Sequence, residues 1–267
     1  FGTHPIPQIA RILVAGGKNE KEITVPEGWT VRDIGALLER QGVGTAKALE
    51  GLASPAGGRA FEERFPFLAT KPASAGLEGY LFPDTYRFKK EGETVDTIAQ
   101  KMKSQLNLRF ENLPIILNTL VFNDVLIKAS LLEKEARSEE DMHLVAGVIE
   151  NRLARGMFLQ IDATVAYGAC LENLQPITYN LQLYKYCDVS QIGVANEIKI
   201  DGPYNTYTHA GLPPGPIANP GITAIQAVLN PVESEYLYYL STRDGSRIIF
   251  SKTAAEHAAN RRRYLGL

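Results

Sequence analysis

Residues 22–38 read EITVPEGWTVRDIGALL, and three kinds of local signal succeed one another in them. Glu22 to Val25 alternates polar and apolar side chains, the period of a strand with one buried face. Pro26-Glu27-Gly28 supplies the turn. Thr30, with Asp33 three positions later, is the pattern of a reciprocal helix cap, and the apolar spacing that follows carries a helix through Leu38. Thr45 is placed to cap a second short helix ending near Gly51. The run Ala53 to Gly58, rich in Pro, Ser and Gly, reads as loop or linker. Strand followed by helices, in a chain whose middle is helical, makes the fold class α+β.

Downstream, EGYLFPDTYRF (Glu78 to Phe88) is an extended segment and turn, because Pro83 lacks a backbone donor and biases Phe82 towards extended geometry. Thr94 opens a helix towards Phe110, and Pro114 to Ala136 gives one or two more. Ser138 with Asp141 caps a helix that runs to Arg155 and stops at Gly156. Residues 202–221, GPYNTYTHAGLPPGPIANPG, hold too much Gly and Pro for a helix and form a long structured loop of the kind that lines sites. Thr223 to Leu229 is a short helix, Tyr236 to Leu240 and Arg247 to Phe250 are strands across Asp244-Gly245, and Ala254 to Tyr264 is a last helix.

The 267 residues carry 28 Lys+Arg against 30 Asp+Glu, so no net field draws phosphate backbones, and no nucleic-acid motif appears; nucleic acid is excluded as a partner. With 45% hydrophobic residues the chain has the material for a globular core. The apolar stretch 113–132 is broken by Asn118, Asn123, Asp124 and Lys128 and does not read as a membrane span. Position 1 is Phe rather than Met, so the natural start is expected to lie outside this sequence, and any signal or anchor before it is not seen here. Neither Cys nor His shows metal-ligand spacing, so no metal or cofactor is expected. Cys170 and Cys187 pair if the protein is exported and stay free if it is cytosolic.

Candidate chemistry centres on ASLLEKEA (Ala129 to Ala136). At about 100° per residue, Val125, Ala129, Leu132 and Ala136 form one stripe, with Glu133 and Glu135 on its opposite borders. A carboxyl beside apolar surface can hold its proton near neutral pH and act as a general acid. Periodicity alone favours a solvated helix edge, with Lys134 and Arg137 nearby, and it does not choose between the two Glu residues. The four histidines show no nucleophile or metal pairing and read as surface or structural groups, with His209 noted for its place in the Tyr-rich loop.

Taken in order, VPEGWTVRDIGALL, EGYLFPDTYRF, ASLLEKEA, VIENRLARGMFLQIDATVAYG, YNTYTHAGLPPGPIANPG and YLYYLS resemble the YceG-like family of endolytic murein transglycosylases, from about Ile6 to the C-terminus. The resemblance implies a small LysM-like subdomain over residues 1–60, followed by a mixed α/β catalytic domain over 61–267. It implies a bacterial enzyme held in the plasma membrane by an N-terminal helix absent from this chain, with its catalytic part on the periplasmic or extracellular side. Such an enzyme cuts peptidoglycan glycan strands internally, leaving 1,6-anhydro ends, with penicillin-binding synthases as expected partners. The catalytic acid maps onto Glu135. Substrate contacts are expected from Gln160 and Asp162, from Tyr204, Asn205, Thr206 and Tyr207, and from Glu78 and Tyr80. Two departures stand out: Ile161 and Ala163 occupy positions where the family pattern has Ser and Pro. An exported location further implies a Cys170–Cys187 disulfide. A hydrolytic muramidase and a non-cutting glycan scaffold are the alternatives.

Overall fold

In a computed structural model, the described residues are 20–62, 65, 68, 71–73, 75–89, 94–111, 119–172 and 193–266. Strand β1 (Glu20–Thr24) leads into helix α1 (Val31–Arg40) and helix α2 (Ala46–Ala53). The Thr30–Asp33 cap forms in both directions: the Thr30 side chain accepts the Asp33 N–H, and Asp33 accepts the Thr30 N–H at 2.9 Å. Val31, Ile34 and Leu38 form the buried face of α1. Thr45 caps α2 as its position suggests.

The expected loop at Ala53 to Gly58 is instead packed and helical. Ala53 closes α2, and Pro55–Gly58 makes one further turn, α3. Ser54 accepts the Gly57 N–H at 3.2 Å, and Pro55 takes the first helical position, where a missing N–H costs nothing. Ser-Pro here starts a turn of helix, although Pro and Gly read as breakers out of context.

The partner of β1 is β2 (Thr85–Lys89), antiparallel, with Ile23 opposite Tyr86 and Lys21 opposite Phe88. Ile23, Tyr86 and Phe88 are all buried, so the pair carries one apolar face into the core. That core is continuous: residues of β1, α1 and α2 belong to the same buried cluster as residues of the helices that follow.

Those helices are α4 (Val95–Glu111), α5 (Thr119–Glu135) and α6 (Glu139–Ala154). The Val125–Ala129–Leu132–Ala136 stripe of α5 is buried as expected, but so are Leu126, Ile127, Ser130 and Leu131, which makes α5 a core helix enclosed on most sides. Ser138 caps α6 through the Asp141 N–H at 3.1 Å, and Gly156, at φ +62°, provides the left-handed residue that ends it. Then come α7 (Asp162–Glu172) and the short α8 (Val194–Glu197).

The 201–221 segment has no helix or strand and is held by its own polar groups. Asn205 donates to the Ile200 carbonyl at 2.7 Å and accepts the Tyr207 N–H at 2.9 Å. Ser130 of α5 accepts the Ile217 N–H at 3.0 Å. Asn219, fully buried, accepts the Leu81 N–H and donates to the Trp29 carbonyl, each at 2.9 Å, tying this segment to both ends of the early chain. Helix α9 (Ile222–Leu229) packs on α5 and α6, and the hairpin of β3 (Tyr238–Ser241) and β4 (Ile248–Ser251) is followed by α10 (Ala254–Leu265). Among the described residues no helix is long and apolar enough to cross a membrane.

Candidate active site

Glu135 is the last residue of α5, and its carboxyl opens on a cleft of about 530 Å³. Strand β3 lines it through residues 238–241, and Tyr239 donates its hydroxyl to Glu135 Oε2 at 2.9 Å. Gln160, Asp162 and Tyr207 also line the cleft, as do His257 and Arg261 of α10. Burial pushes the Glu135 carboxyl up to about 7; the Tyr239 hydrogen bond works against this, and the negative charge of Asp162 adds to it. The helix C-terminus itself disfavours an anion at that position. A carboxyl poised near neutrality can give and take a proton in one working cycle. Glu135 is therefore not a freely solvated helix edge: Tyr239 of β3 sits against its carboxyl, and the side chain is half-buried at the cleft.

Glu133 has a different employment. Its Oε1 accepts the Gly221 N–H at 2.8 Å, at the N-terminus of α9, and it does not line the cleft. Burial raises its carboxyl to about 7 as well, so the proton affinities of the two Glu residues do not separate them. Geometry does: one faces a cleft and the other holds a helix end. The closeness of the chain there is tight enough that a Cβ on Gly221 would fall 1.8 Å from Glu27 Oε1.

The residues expected to touch substrate divide three ways. Gln160, Asp162 and Tyr207 stand at the cleft. The Tyr207 hydroxyl donates to Asp162 Oδ1 at 2.5 Å. Gln160 is held at φ +51°, a left-handed conformation uncommon for a residue with a Cβ, by the hydrogen bond from its N–H to the Thr206 carbonyl at 3.0 Å.

Asn205, Thr206 and Tyr80 are scaffold. Asn205 and Thr206 are buried, and the Thr206 hydroxyl accepts the Ile161 N–H at 3.0 Å and pairs with Thr164 at 2.9 Å. These bonds fasten the loop to the start of α7 and set the conformation of Gln160. Tyr80 has no exposed surface and donates to Asn123 Oδ1 at 2.9 Å inside the core. It cannot meet a ligand.

Glu78 and Tyr204 line a different cavity, of about 400 Å³, which shares no residue with the Glu135 cleft. Glu78 there accepts the Val31 N–H at 3.0 Å, the Asn219 amide at 2.9 Å and the Tyr167 hydroxyl at 3.2 Å. Its carboxyl is also pushed to about 7 by burial, against the hydrogen bonds from Val31 and Tyr167. It joins chain segments far apart in sequence. Cys170 is buried on α7, and Cys187 lies outside the described residues.

Groups at the cleft that the sequence does not mark as site residues include Tyr239, Arg152, His257 and Arg261. Tyr239 lies in the YLYYLS motif, where aromatic alternation marks a strand without saying which ring faces a site. Arg152 is buried and spends its guanidinium on the carbonyls of Leu237 and Leu159, both at 2.6 Å, fixing β3 against the approach to α7.

One desolvated carboxyl at the bottom of a cleft walled by tyrosines, with amide and carboxylate groups on its rim, defines an acid–base site suited to a sugar chain. The chain belongs to the YceG-like family, whose model matches residues 3–263. It is 37% identical over 191 residues to an endolytic murein transglycosylase of Bacillus subtilis, covering 71% of this chain and 48% of that protein. It is 34% identical over 186 residues to one of Streptococcus pneumoniae, covering 69% of this chain and 31% of that protein. The chain thus spans about half the length of the first relative and about a third of the second. A crystal structure of a putative YceG-like protein from Listeria monocytogenes superposes with a TM-score of 0.73 at 29% identity, over 95% of this chain and 80% of that one.

Proposed function

We propose that this chain is the cutting part of an endolytic murein transglycosylase, with Glu135 as its one acid and base. The observation that carries the reading is a carboxyl held at about 7 in a sugar-sized cleft, within a family whose named relatives do this chemistry. Protonated Glu135 gives its proton to the glycosidic oxygen between N-acetylmuramic acid and N-acetylglucosamine as the C1–O bond breaks. The resulting carboxylate then takes the proton of the C6 hydroxyl of the same muramyl ring while O6 bonds to C1. The products are a 1,6-anhydro end and a free hydroxyl; no water is consumed, and Glu135 returns to its starting state. Gln160, Asp162 and Tyr207 orient the ring, with Asn205 and Thr206 holding the backbone beneath them.

The second reading is a muramidase, favoured by Asp162 in the same cleft, since a second carboxylate is what a hydrolase needs to activate water or trap the sugar. Incubation with uncrosslinked glycan strands in isotopically labelled water decides between them. The lyase leaves new ends lighter by one water and unlabelled; labelled reducing ends as the primary product refute it, and intact strands bound by folded protein point to a scaffold.

The small unit of residues 1–60 is proposed as LysM-like, supported by the order β1, α1, α2 within it. Residues 61–267 then form the catalytic unit. Anchoring of the whole protein by an N-terminal membrane helix, exposure on the outer side and association with peptidoglycan synthases belong to the same proposal. So does the Cys170–Cys187 disulfide: two free thiols by mass spectrometry in the freshly exported protein would sink it.

A further inference from the structure

Helix α10 packs against both strands of the hairpin, and His257 and Arg261, one turn apart on it, face the Glu135 cleft. The other cation at the cleft, Arg152, is committed to backbone carbonyls and to the face of Tyr238, 5.1 Å from the ring centre. Arg261 is exposed, and among the described residues no carboxylate pairs with it. His257 stacks on Tyr238 at 5.3 Å between ring centres. Its Nδ1 is buried with no hydrogen-bond partner among the described residues, which leaves Nε2 as the nitrogen available to a ligand. Burial, then the charges of Arg261 and Arg152, hold this histidine below its ordinary value, so at neutral pH it is an uncharged hydrogen-bonding group.

A free cation is an odd neighbour for this chemistry. Positive charge develops on the sugar ring as the glycosidic bond breaks, so a guanidinium nearby opposes the transition state rather than assisting it. An anion carried by the substrate and seated on Arg261 removes that conflict and uses the cation for binding. Resting on the function proposed above, we propose that Arg261 and His257 form a carboxylate subsite: they hold a carboxylate borne by the muramyl substituent, and so set the register that places the bond at Glu135. Both are positioning residues. The carboxylate has two sources, the lactyl group itself when bare or the peptide attached to it.

Binding to the whole protein carrying Glu135→Gln tests this with three glycans of equal length: peptide-bearing strands, strands stripped to the lactyl carboxylate, and a chitin oligomer with neither. At least one carboxylate-bearing glycan should bind roughly 10-fold tighter than the chitin oligomer, and high salt should erase the difference. Tight binding of the peptide-bearing strand alone assigns the carboxylate to the peptide, tight binding of the stripped strand alone assigns it to the bare lactyl group, and tight binding of both means that the subsite accepts either. Adding Arg261→Ala should bring all three to the chitin level, and Arg261→Lys should restore part of the gap. Arg262→Ala, which removes a charge from the same helix outside the cleft, should restore and remove nothing. In the protein with Glu135 intact, the Arg261→Ala loss should fall on KM rather than kcat. Equal weakening of all three glycans, or none, overturns the subsite. Discrimination without any cleavage by the wild type would overturn the transglycosylase reading and leave the subsite standing; cleavage without discrimination would do the reverse.

Discussion

Glu135→Gln should make the protein more stable, and by an amount that grows with pH. The Glu135 carboxyl is held at about 7, against an ordinary value of 4.5. Below the ordinary value the group is protonated in folded and unfolded chains alike and costs nothing. Between 4.5 and about 7 the unfolded chain releases the proton while the folded chain keeps it, so stability falls as pH rises; above about 7 the whole penalty is in place. At about 1.4 kcal/mol per pKa unit this amounts to ~3 kcal/mol, an upper value because the side chain keeps some contact with solvent. Gln never ionises, and its amide oxygen still accepts from Tyr239. Urea unfolding at about pH 4 and about pH 8 should therefore show the variant near wild type at the lower pH and ~2–3 kcal/mol more stable at the higher. Glu78 and Glu133 are also held near 7 and give both proteins a common slope, so the difference between the two proteins carries the test. A stability difference that stays constant across this range would mean that Glu135 is not desolvated, and the argument for a proton held at neutrality would fail.

The same variant should lower strand cleavage by roughly 10² or more, with Glu133→Gln milder, in an assay of glycan products; the reverse order would reassign the acid. Tyr239→Phe removes the one hydrogen bond that, among the described residues, favours the Glu135 carboxylate, so the alkaline limb of the pH–rate profile should move up by about one unit, and an unmoved limb would refute the pairing. Tyr80→Phe strands Asn123 Oδ1 in the core and should cost ~1–3 kcal/mol by thermal or urea unfolding; a cost near zero would mean that the Tyr80–Asn123 bond is replaced by water.

What could be read from the sequence was local. Thr30 with Asp33, Thr45 and Ser138 announce helix starts because a cap is satisfied within three residues, and Gly156 announces a stop because few other residues tolerate its φ. The choice between Glu133 and Glu135 is not local. Both border the same stripe, and what separates them is that α9 begins beside one and β3 closes over the other, with Tyr239 lying 104 positions from Glu135. Tyr80 and Asn205 look like ligand contacts because aromatic and amide groups suit sugars; their burial depends on Asn123 and on residues 198–200, which no spacing rule connects to them. Ser54-Pro55 reads as a breaker by composition, but by position Ser caps and Pro opens a helical turn.

The pairing of β1 with β2 joins residues 61 positions apart, as in the Thr24–Thr85 hydroxyl contact at 2.8 Å. During synthesis at about 5–20 residues per second, β1 therefore waits roughly 3–12 s for its partner, while α1 and α2, which need only near neighbours, can already form. Throughout that interval its backbone edge is open to any other extended segment. The strand's own composition is the safeguard: Glu20, Lys21 and Glu22 stand in a row with a single buried side chain, Ile23, after them, so a mistaken partner would have to accommodate two carboxylates that here lie opposite Lys89 and Arg87, and an ammonium that here donates to the Gln41 carbonyl.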